Sequence, residues 1–472
     1  MALNSREYGQ DKVWGNRVAL VDEEKTITFS QLCSAADSVT EGLKSRTVVL
    51  FIASNTVACV VGYVAFMRKG IVPLMVSSSI GEDELNALLE MYEPEYVWHK
   101  DIDGFPGRTA AVYGDYRLTE TAYESASEIN SDLALLLTTS GSTGTQKYVR
   151  LTYENVKSNA SAIAEYLSIT EDDRAITTLP LSYSYGLSII NSHLISGASI
   201  ILTERTLFDR GLWNLLKEKE ATSFGGVPYT YEMLKRLHFE RMDIPSLRYI
   251  TQAGGRLSEE LQHEFAEICM SKGIEFFVMY GQTEATARLT YLPAEYASEK
   301  IGSIGVPIPG GEIMLADEEG NAISEANKAG ELVYKGSNVS LGYATCRADL
   351  GLGDERHGWL KTGDVAMRDE DGFYRIVGRK KRFLKLYGNR VNLDDVEAIL
   401  SKEGYVAACA GRDDSMSVYV EGDQENAKAA QVFLANKLGL YKGAFKVRPI
   451  TALPRNEAGK LLYAELEATK NA

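Results

Sequence analysis

Apolar and polar residues alternate along the first part of the chain in a way that predicts strands and helices in turn. The apolar run "VVLFIA" at 48–53 predicts a buried strand, a helix-length stretch follows up to Met67, and "VPLMV" at 72–76 predicts a second strand. A strand, a helix and a strand in this order indicate a βαβ unit with parallel strands.

The same alternation continues toward position 300. An amphipathic helix is predicted by apolar residues at spacings of three and four, namely Leu85, Leu88, Leu89 and Tyr92. Later segments of the same kind are a strand "ASIILT" at 198–203, a helix with Leu261, Phe265 and Ile268, and a strand "EFFVMY" at 275–280. Residues 1 to about 300 therefore predict an α/β region of several layers.

The pattern changes after about residue 305. Short strands are separated by glycine-containing turns, as in "GELVYKG" at 330–336 and "DGFYRIVG" at 371–378, which predicts a β-rich subdomain. After the basic cluster "GRKKR" a helix is predicted to begin at Asn392, with Leu393, Val396, Ile399 and Leu400 on its buried face. We therefore predict an N-terminal domain over 1–381 and a small α+β domain over 382–472.

Composition narrows the possible partners. The 472 residues carry a formal net charge of −15, which disfavours nucleic acids and anionic membrane surfaces because both would be repelled. Five scattered cysteines without a CxxC pair predict a reducing, cytoplasmic setting. The apolar stretch "VACVVGYVAFM" at 57–67 is too short to span a bilayer, so neither membrane insertion nor secretion is predicted.

The segment "TTSGSTGTQK" at 138–147 is a candidate phosphate-binding loop. Its glycines permit unusual backbone conformations, and its hydroxyl groups and terminal lysine can bind phosphate oxygens. The common G-x-x-x-x-G-K-[ST] pattern is not met, because Lys147 follows Gln146 and precedes Tyr148. Taken alone, the segment is equally compatible with a polar turn between "LALLL" at 133–137 and a helix that begins near Thr152.

Five further segments accompany this loop in order. They are "LPLSYSYGL" (179–187), "QAGGRL" (252–257), "YGQTEAT" (280–286), "WLKTGDVAMRDEDGFYRIVGRKKR" (359–382) and "PRNEAGKL" (454–461). With this set, the chain resembles the adenylate-forming superfamily of acyl-CoA synthetases, luciferases and peptide-synthetase adenylation domains. The resemblance extends from "TITFSQL" at 26–32 to Lys460, nearly the whole chain.

The resemblance implies an AMP-forming acid–thiol ligase. Such an enzyme uses ATP and Mg²⁺ to convert a carboxylic acid to an acyl-adenylate and pyrophosphate, and then transfers the acyl group to a thiol. A carboxylate is already ionised at neutral pH, so its attack on the α-phosphate needs no general base. Catalysis is then expected to depend on positioning and on stabilising charge at phosphate oxygens.

Several residues match the family's nucleotide site. The loop is expected to hold the β and γ phosphates through Thr139, Ser140, Gly141, Ser142, Thr143, Gly144 and Lys147. In "YGQTE", the expected roles are stacking on adenine for Tyr280, phosphate binding for Thr283 and Mg²⁺ binding for Glu284, with Gly281 and Gln282 beside the nucleotide. Gly254 and Gly255 are expected to form a wall of the adenine and acyl pockets.

The C-terminal part supplies the remaining candidates. Asp364 and Arg379 match the ribose ligands of the family, and Arg390 matches a phosphate contact. Lys460 matches the lysine that the family places against the reacting carboxylate and the α-phosphate. Lys381 matches the hinge about which the mobile C-terminal domain rotates between the two half-reactions.

The identity of the acid is constrained by what the segment after Leu179 lacks. Family members that activate amino acids generally place an Asp there, whereas this chain has no acidic residue between Asp173 and Glu204. Because an unpaired ammonium group is costly to bury, an acid without an α-amino group is expected, either fatty or aromatic. The candidate pocket residues are Ser182, Tyr183, Asn191, Gly226 and Val227.

Several alternatives stay open at this point. Coenzyme A is the favoured acceptor of the acyl group, and the pantetheine thiol of a carrier protein is the second candidate. Other classes are a P-loop nucleotidase, a luciferase-like oxygenase and a non-catalytic nucleotide-binding protein.

The chain departs from the family pattern in three places. Gln146 and Tyr148 replace the usual Pro and Gly of the loop, and the C-terminal unit is shorter than is typical of the family.

Overall fold

The structure is a computed structural model of the chain. It describes residues 14–100, 106–124, 127–138, 147–386, 389–412, 415–438, 441–456, 459 and 461–468. The described residues group into two compact units. Unit 1 comprises those up to 313 together with 334–360, and unit 2 comprises 314–333 and those from 361 onward.

The strands are numbered in chain order from the N-terminus. They are β1 (Val18–Val21), β2 (Thr26–Thr28), β3 (Val48–Ala53), β4 (Val72–Ser77), β5 (Tyr96–Lys100), β6 (Thr109–Tyr113), β7 (Tyr116–Glu120), β8 (Leu133–Thr138), β9 (Tyr148–Thr152), β10 (Arg174–Ile176), β11 (Ser199–Ile201), β12 (Ser223–Gly226), β13 (Tyr249–Gln252), β14 (Glu275–Tyr280), β15 (Thr290–Leu292), β16 (Val306–Pro307), β17 (Glu312–Ala316), β18 (Gly330–Lys335), β19 (Gly342–Ala344), β20 (Trp359–Arg368), β21 (Tyr374–Arg379), β22 (Phe383–Leu386), β23 (Asn389–Asn392), β24 (Ala407–Arg412), β25 (Ser415–Glu421) and β26 (Phe445–Ile450).

The α-helices follow the same order. They are α1 (Phe29–Val39), α2 (Val57–Lys69), α3 (Glu82–Tyr92), α4 (Tyr153–Tyr166), α5 (Ser184–Ile195), α6 (Arg210–Glu218), α7 (Pro228–Arg236), α8 (Glu259–Lys272), α9 (Leu393–Lys402), α10 (Gln424–Leu438) and α11 (Tyr463–Ala468). The alternation of strands and helices up to residue 300 confirms the predicted α/β region.

Unit 1 contains two large sheets. One has the order β16-β15-β14-β13-β12-β10-β11-β1-β2, and the other has the order β19-β9-β8-β4-β3-β5-β7-β6. The predicted βαβ unit is present, because β3 and β4 pair in parallel from Val48–Val72 to Ala53–Ser77 and α2 connects them. Parallel strands need such a crossover, and both faces of their sheet are usually covered.

The apolar stretch at 57–67 forms most of α2, and every one of these residues is buried. The helix begins after Thr56, which caps it by accepting from the backbone N–H of Cys59, and it ends at Gly70 with φ = 76°. Its side chains share one apolar core with strands from both sheets, including Phe51 and Ile200. Among the described residues, the structure has no helix long and apolar enough to cross a membrane.

Unit 2 combines shorter elements. The first strands of this unit form a four-stranded sheet of order β17-β18-β20-β21. The β22–β23 hairpin and the three-stranded sheet β24-β25-β26 follow along the chain. Helix α9 is capped by Asn392, as predicted, and its Leu393, Val396 and Leu400 pack into the core of this unit. The β-rich subdomain and the α+β C-terminal part are thereby confirmed as elements of the fold.

Strand β9 is a feature that the sequence pattern missed, since no strand was predicted between the loop and the helix at Thr152. All five of its residues are buried, so no polar alternation marks the strand. Its charged residue, Arg150, is fully buried and forms an ion pair with Glu355 over 2.7 Å. Tyr148 packs against Tyr92 with ring centroids 5.4 Å apart, so the residue that replaces the family's glycine belongs to the core.

Candidate active site

The candidate phosphate loop connects the two strands of a β-hairpin. Strands β8 and β9 are antiparallel, with Thr138 opposite Tyr148 at the end of the hairpin. The predicted ligands Thr139, Ser140, Gly141, Ser142, Thr143 and Gly144 lie outside the described residues. Lys147 is described, and its exposed ammonium group lies 5.8 Å from the centre of the Tyr343 ring.

Glu284 lies close to the same tyrosine. It belongs to the 3-10 turn Thr283–Ala285 that follows β14, and its Oε1 accepts a hydrogen bond of 2.7 Å from the Tyr343 hydroxyl. Burial, and then the charge of Glu284, raise the pKa of Tyr343 to about 12, so the hydroxyl stays protonated and donates at neutral pH. Arg356 lies over this ring at 4.8 Å, which places two cations and one carboxylate around one aromatic side chain.

The other residues of "YGQTE" are held by local contacts. Gln282 Nε2 donates to the Tyr280 hydroxyl over 3.0 Å, and the Thr283 hydroxyl lies 3.2 Å from that of Ser184 at the start of α5. Gly281 is required sterically, because a Cβ at this position would overlap the carbonyl oxygen of Ala287. Tyr280 and Thr283 are both half-buried, which leaves part of each side chain accessible to a ligand.

The turn is closed by an unusual backbone conformation at Thr286. This residue has φ = 67° and ψ = −53°, and the N–H of Ala287 donates to the carbonyl of Ala285 over 2.7 Å, which defines a strained γ-turn. Asn338 stabilises the turn, because its amide donates to the carbonyls of Ala285 (3.0 Å) and Arg288 (2.9 Å). The Thr286 hydroxyl donates in return to the Asn338 carbonyl over 2.8 Å. Sequence reasoning did not find Asn338, which lies 52 positions from Thr286.

The candidate acyl pocket is assembled only in part. A Cβ at Gly254, whose φ is 81°, would lie 2.5 Å from the Tyr183 hydroxyl and 3.1 Å from Val227, so these three residues are neighbours. A Cβ at Gly226 would lie 2.7 Å from Cγ2 of Thr230, so a side chain at this position would collide with Thr230. A Cβ at Gly255 would lie 3.1 Å from Cγ of Pro228.

Asn191 lines a cavity whose wall does not include Tyr183, Gly226 or Val227. The Asn191 Oδ1 accepts from Tyr63 over 3.0 Å, and the same wall contains Asn159, Ser188 and Thr286. Ser182 is half-buried.

A second cavity lies beside the candidate pocket. Its wall contains apolar residues and several polar ones, namely Ile163, Leu167, Ile189, Ser192, His193, Ser223, Phe224, Gly225, Tyr249, Thr251, Met279 and Arg288. It lies next to Tyr185, because a Cβ at Gly225 would be 3.0 Å from the Tyr185 hydroxyl. The sequence analysis did not predict Arg288 as a site residue. The available signal was a charged residue between Ala287 and Leu289, just after the motif "YGQTEAT".

Unit 2 holds the candidate ribose ligands. Asp364 on β20 is opposite Arg379 on β21, and Arg379 Nε donates to Asp364 Oδ1 over 3.0 Å. The Asp364 side chain is only 3% exposed, whereas that of Arg379 is 51% exposed. A buried carboxylate with a half-exposed cationic partner is suited to accept hydrogen bonds from a neutral diol.

The remaining predicted residues can be placed only by their backbone. Lys381 is the middle residue of the 3-10 turn Lys380–Arg382, and Arg390 lies on β23 opposite Lys385. Lys460 lies outside the described residues. Arg382, directly after Lys381, is bound by Asp394 and Glu397 of α9 and packs against the Tyr463 ring at 4.1 Å.

Comparison with known proteins identifies the class. A model of the AMP-binding enzyme family matches residues 9–344, and the chain therefore belongs to this family. 2-Succinylbenzoate–CoA ligases of Bacillus cereus and Bacillus subtilis are each 28% identical to it, over 96% of this chain and 95% of theirs.

Solved structures give the same result. An O-succinylbenzoate coenzyme A synthetase of Bacillus subtilis in complex with AMP has a TM-score of 0.80 and 25% identity, over 98% of both chains. The complex of that enzyme with ATP and magnesium ion also has a TM-score of 0.80 and 25% identity, over 98% of this chain and 99% of the other.

The chain is an AMP-forming acid–thiol ligase. It uses ATP and magnesium to activate a carboxylic acid as an acyl-adenylate, with release of pyrophosphate, and it transfers the acyl group to coenzyme A. The predicted family, reaction type and co-substrates are thereby confirmed.

Proposed function

We propose that the acid activated by this enzyme is an aromatic carboxylic acid without an α-amino group. The observation that carries this proposal is the cavity beside Tyr183 and Tyr185, whose wall contains Phe224 and Tyr249 and, among the described residues, no carboxylate. An ammonium group would find no partner there, whereas aromatic side chains favour an aromatic ring. The names of the relatives, which are ligases for 2-succinylbenzoate, support the same substrate class.

We assign the nucleotide to the residues of the candidate site. Lys147 and the loop before it bind the terminal phosphates, Thr283 binds phosphate, and Tyr280 packs on adenine. Asp364 and Arg379 bind the ribose, Arg390 binds phosphate, and Lys460 offsets the charge that builds up at the α-phosphate.

Glu284 fits a magnesium ion that arrives with ATP. Mg²⁺ is commonly held by one or two carboxylates together with substrate phosphates, and one Glu284 oxygen is already oriented by Tyr343. When bound, the ion neutralises charge on the phosphates.

We also propose that the enzyme works in the cytoplasm. The five described cysteines are all free, which supports this proposal.

The test is pyrophosphate release from Mg-ATP with a panel of aryl, fatty and amino acids, each with and without coenzyme A. We expect release with aryl acids, AMP as the nucleotide product, and faster turnover when coenzyme A is present. Release that is equally fast with amino acids would contradict the proposed substrate class. Formation of ADP instead of AMP would contradict the reaction itself.

A further inference from the structure

Arg288 is a buried cation without an acidic partner. The residue is 3% exposed, and among the described residues no carboxylate forms an ion pair with its guanidinium group. Its neighbours are neutral: the guanidinium lies 3.9 Å from the centre of the Tyr185 ring, and its Nε donates to the sulfur of Met279 over 3.3 Å. Tyr166, which donates to the same sulfur over 3.0 Å, is also close.

This arrangement is costly unless a ligand completes it. Removing an ion from water is unfavourable even after the surroundings relax, and a buried charge is normally paired for that reason. A cation–π contact offsets only part of this cost, and a thioether is a weak acceptor. Arginine cannot avoid the cost by losing its proton. An anion in the cavity would remove most of the penalty.

The rest of the cavity wall offers hydrogen bonds but no negative charge. Burial lowers the pKa of His193 to about 4, so its imidazole is neutral at physiological pH. Nδ1 of His193 lies 2.8 Å from the Ile189 carbonyl, and a proton on Nδ1 leaves Nε2 to accept from the Tyr249 hydroxyl at 3.4 Å. Thr251 and Ser192 add hydroxyl groups to the wall.

The cavity is also next to the candidate acyl pocket. Gly225, in its wall, directly precedes the candidate pocket residues Gly226 and Val227, and the Tyr183 and Tyr185 rings are 6.2 Å apart. The free space holds about one water molecule, so an acid must displace side chains to enter. Met279 suits this requirement, because methionine adapts its shape easily.

We infer that Arg288 binds a second carboxylate of the substrate, and that the enzyme therefore acts on a dicarboxylic acid. This inference rests on the proposed function, since it concerns the same acyl pocket. One carboxylate is adenylated, and the other pairs with the guanidinium, whose planar donors match a carboxylate in a two-point contact. Arg288 is thus a specificity-determining residue that touches the part of the substrate that does not react.

The experiment compares two acids that differ only in the second carboxylate. 2-Succinylbenzoate has it, and 4-oxo-4-phenylbutanoate lacks it; phthalate with benzoate and adipate with hexanoate are further pairs. Pyrophosphate release is measured for the wild type, for Arg288→Met and for the control Arg236→Met, which alters an exposed arginine at the end of α7. KM for ATP and the melting temperature show whether each variant is folded and binds nucleotide.

We expect the wild type to prefer the dicarboxylate of at least one pair by about 100-fold in kcat/KM, as a charged contact in a dry site predicts. Arg288→Met should abolish that preference, mainly through KM for the diacid, while KM for ATP stays unchanged. Arg236→Met should behave as the wild type does.

Two results would overturn the inference alone. One is AMP-forming activity with monocarboxylates that matches the activity with their diacid partners in every pair. The other is an Arg288→Met variant that loses activity equally with both members of a pair. Absence of pyrophosphate release with every acid, from protein that binds ATP, would instead overturn the proposed function and the inference with it.

Discussion

The hydroxyl group of Tyr343 donates to Glu284 Oε1 over 2.7 Å, and Lys147 lies 5.8 Å from the centre of the same ring. Tyr343 belongs to β19, which pairs with β9 directly after the candidate phosphate loop, with Tyr343 opposite Val149. One tyrosine therefore connects the end of the loop hairpin to the candidate magnesium ligand, although 59 positions separate it from Glu284.

Tyr343→Phe should weaken the binding of Mg-ATP. The substitution keeps the ring but removes the donor that orients Glu284, and a hydrogen bond to a charged group contributes about 1.5 to 3 kcal/mol. We expect KM for Mg-ATP to rise about 10-fold or more in a pyrophosphate-release assay. Tyr441→Phe, at a tyrosine that is 83% exposed, is the matched control and should leave KM as it is. An unchanged KM in Tyr343→Phe would show that Glu284 needs no such support.

Asn338→Asp should destabilise unit 1 and slow adenylation. The side chain keeps its size, but a carboxylate cannot donate to the carbonyls of Ala285 and Arg288, which then lose a partner in a buried place. We expect the free energy of unfolding, measured by urea denaturation, to fall by about 1 to 3 kcal/mol. Asn327→Asp, at an exposed position, should have little effect. If Asn338→Asp were as stable as Asn327→Asp, the Asn338 side chain would not stabilise the strained turn.

Stability should decrease as the pH falls from about 6.5 to about 4, partly because of His193. Burial lowers its pKa in the folded protein to about 4, below the ordinary value of 6.5. Between these values the unfolded chain binds a proton that the folded protein does not, so the stabilising contribution is complete above pH 6.5 and is lost toward pH 4. The difference corresponds to roughly 3 kcal/mol.

Urea unfolding of the wild type and of His193→Gln at several pH values measures this contribution. The variant should show a flatter dependence of the free energy of unfolding on pH over the same window. His238→Gln, at an exposed histidine, is the control and should keep the wild-type slope. Parallel curves for the wild type and His193→Gln would contradict the assignment.

Asp364→Asn should impair recognition of the ribose. The amide has one acceptor oxygen instead of two and weakens the pairing with Arg379. We expect the wild type to use ATP much better than 2′-deoxy-ATP or 3′-deoxy-ATP, and we expect the variant to lose most of that preference, by about 10-fold. A variant that retains the full preference would place the ribose elsewhere.

Lys460→Ala and Lys381→Pro should separate the two half-reactions. Removal of the Lys460 cation should slow adenylate formation by about 100-fold or more, because charge stabilisation is lost in the transition state. Proline at position 381 should spare adenylate formation and slow transfer to coenzyme A, because it restricts the backbone of the proposed hinge.

The measurements are pyrophosphate release without coenzyme A and single-turnover transfer from preformed adenylate. Arg382 is bound to Asp394 and Glu397, so the residue directly after Lys381 is attached to α9. Lys442→Ala, at an exposed lysine, is the control for both steps. Comparable losses in both half-reactions for either variant would contradict this division of roles.

The sequence by itself determined the class of protein and much of its local structure. The apolar runs at 48–53 and 72–76, the spacing of Leu85, Leu88, Leu89 and Tyr92, and the cap at Asn392 all correspond to elements of the fold. These features are local, because the period of apolar residues and the capping groups act within a few positions of each other. The ordered motifs likewise identified the family and its reaction.

Only the tertiary structure decided which distant residues meet. The pairs Tyr343–Glu284 and Asn338–Thr286 join segments more than 50 positions apart. The buried strand β9 has no polar alternation to reveal it. The surroundings of Arg288 depend on side chains from α4, α5 and β14, so its lack of an acidic neighbour cannot be read from "ATARL" alone. The cost of a buried charge is set by what the fold places around it, and those surroundings come from segments that are distant in the sequence.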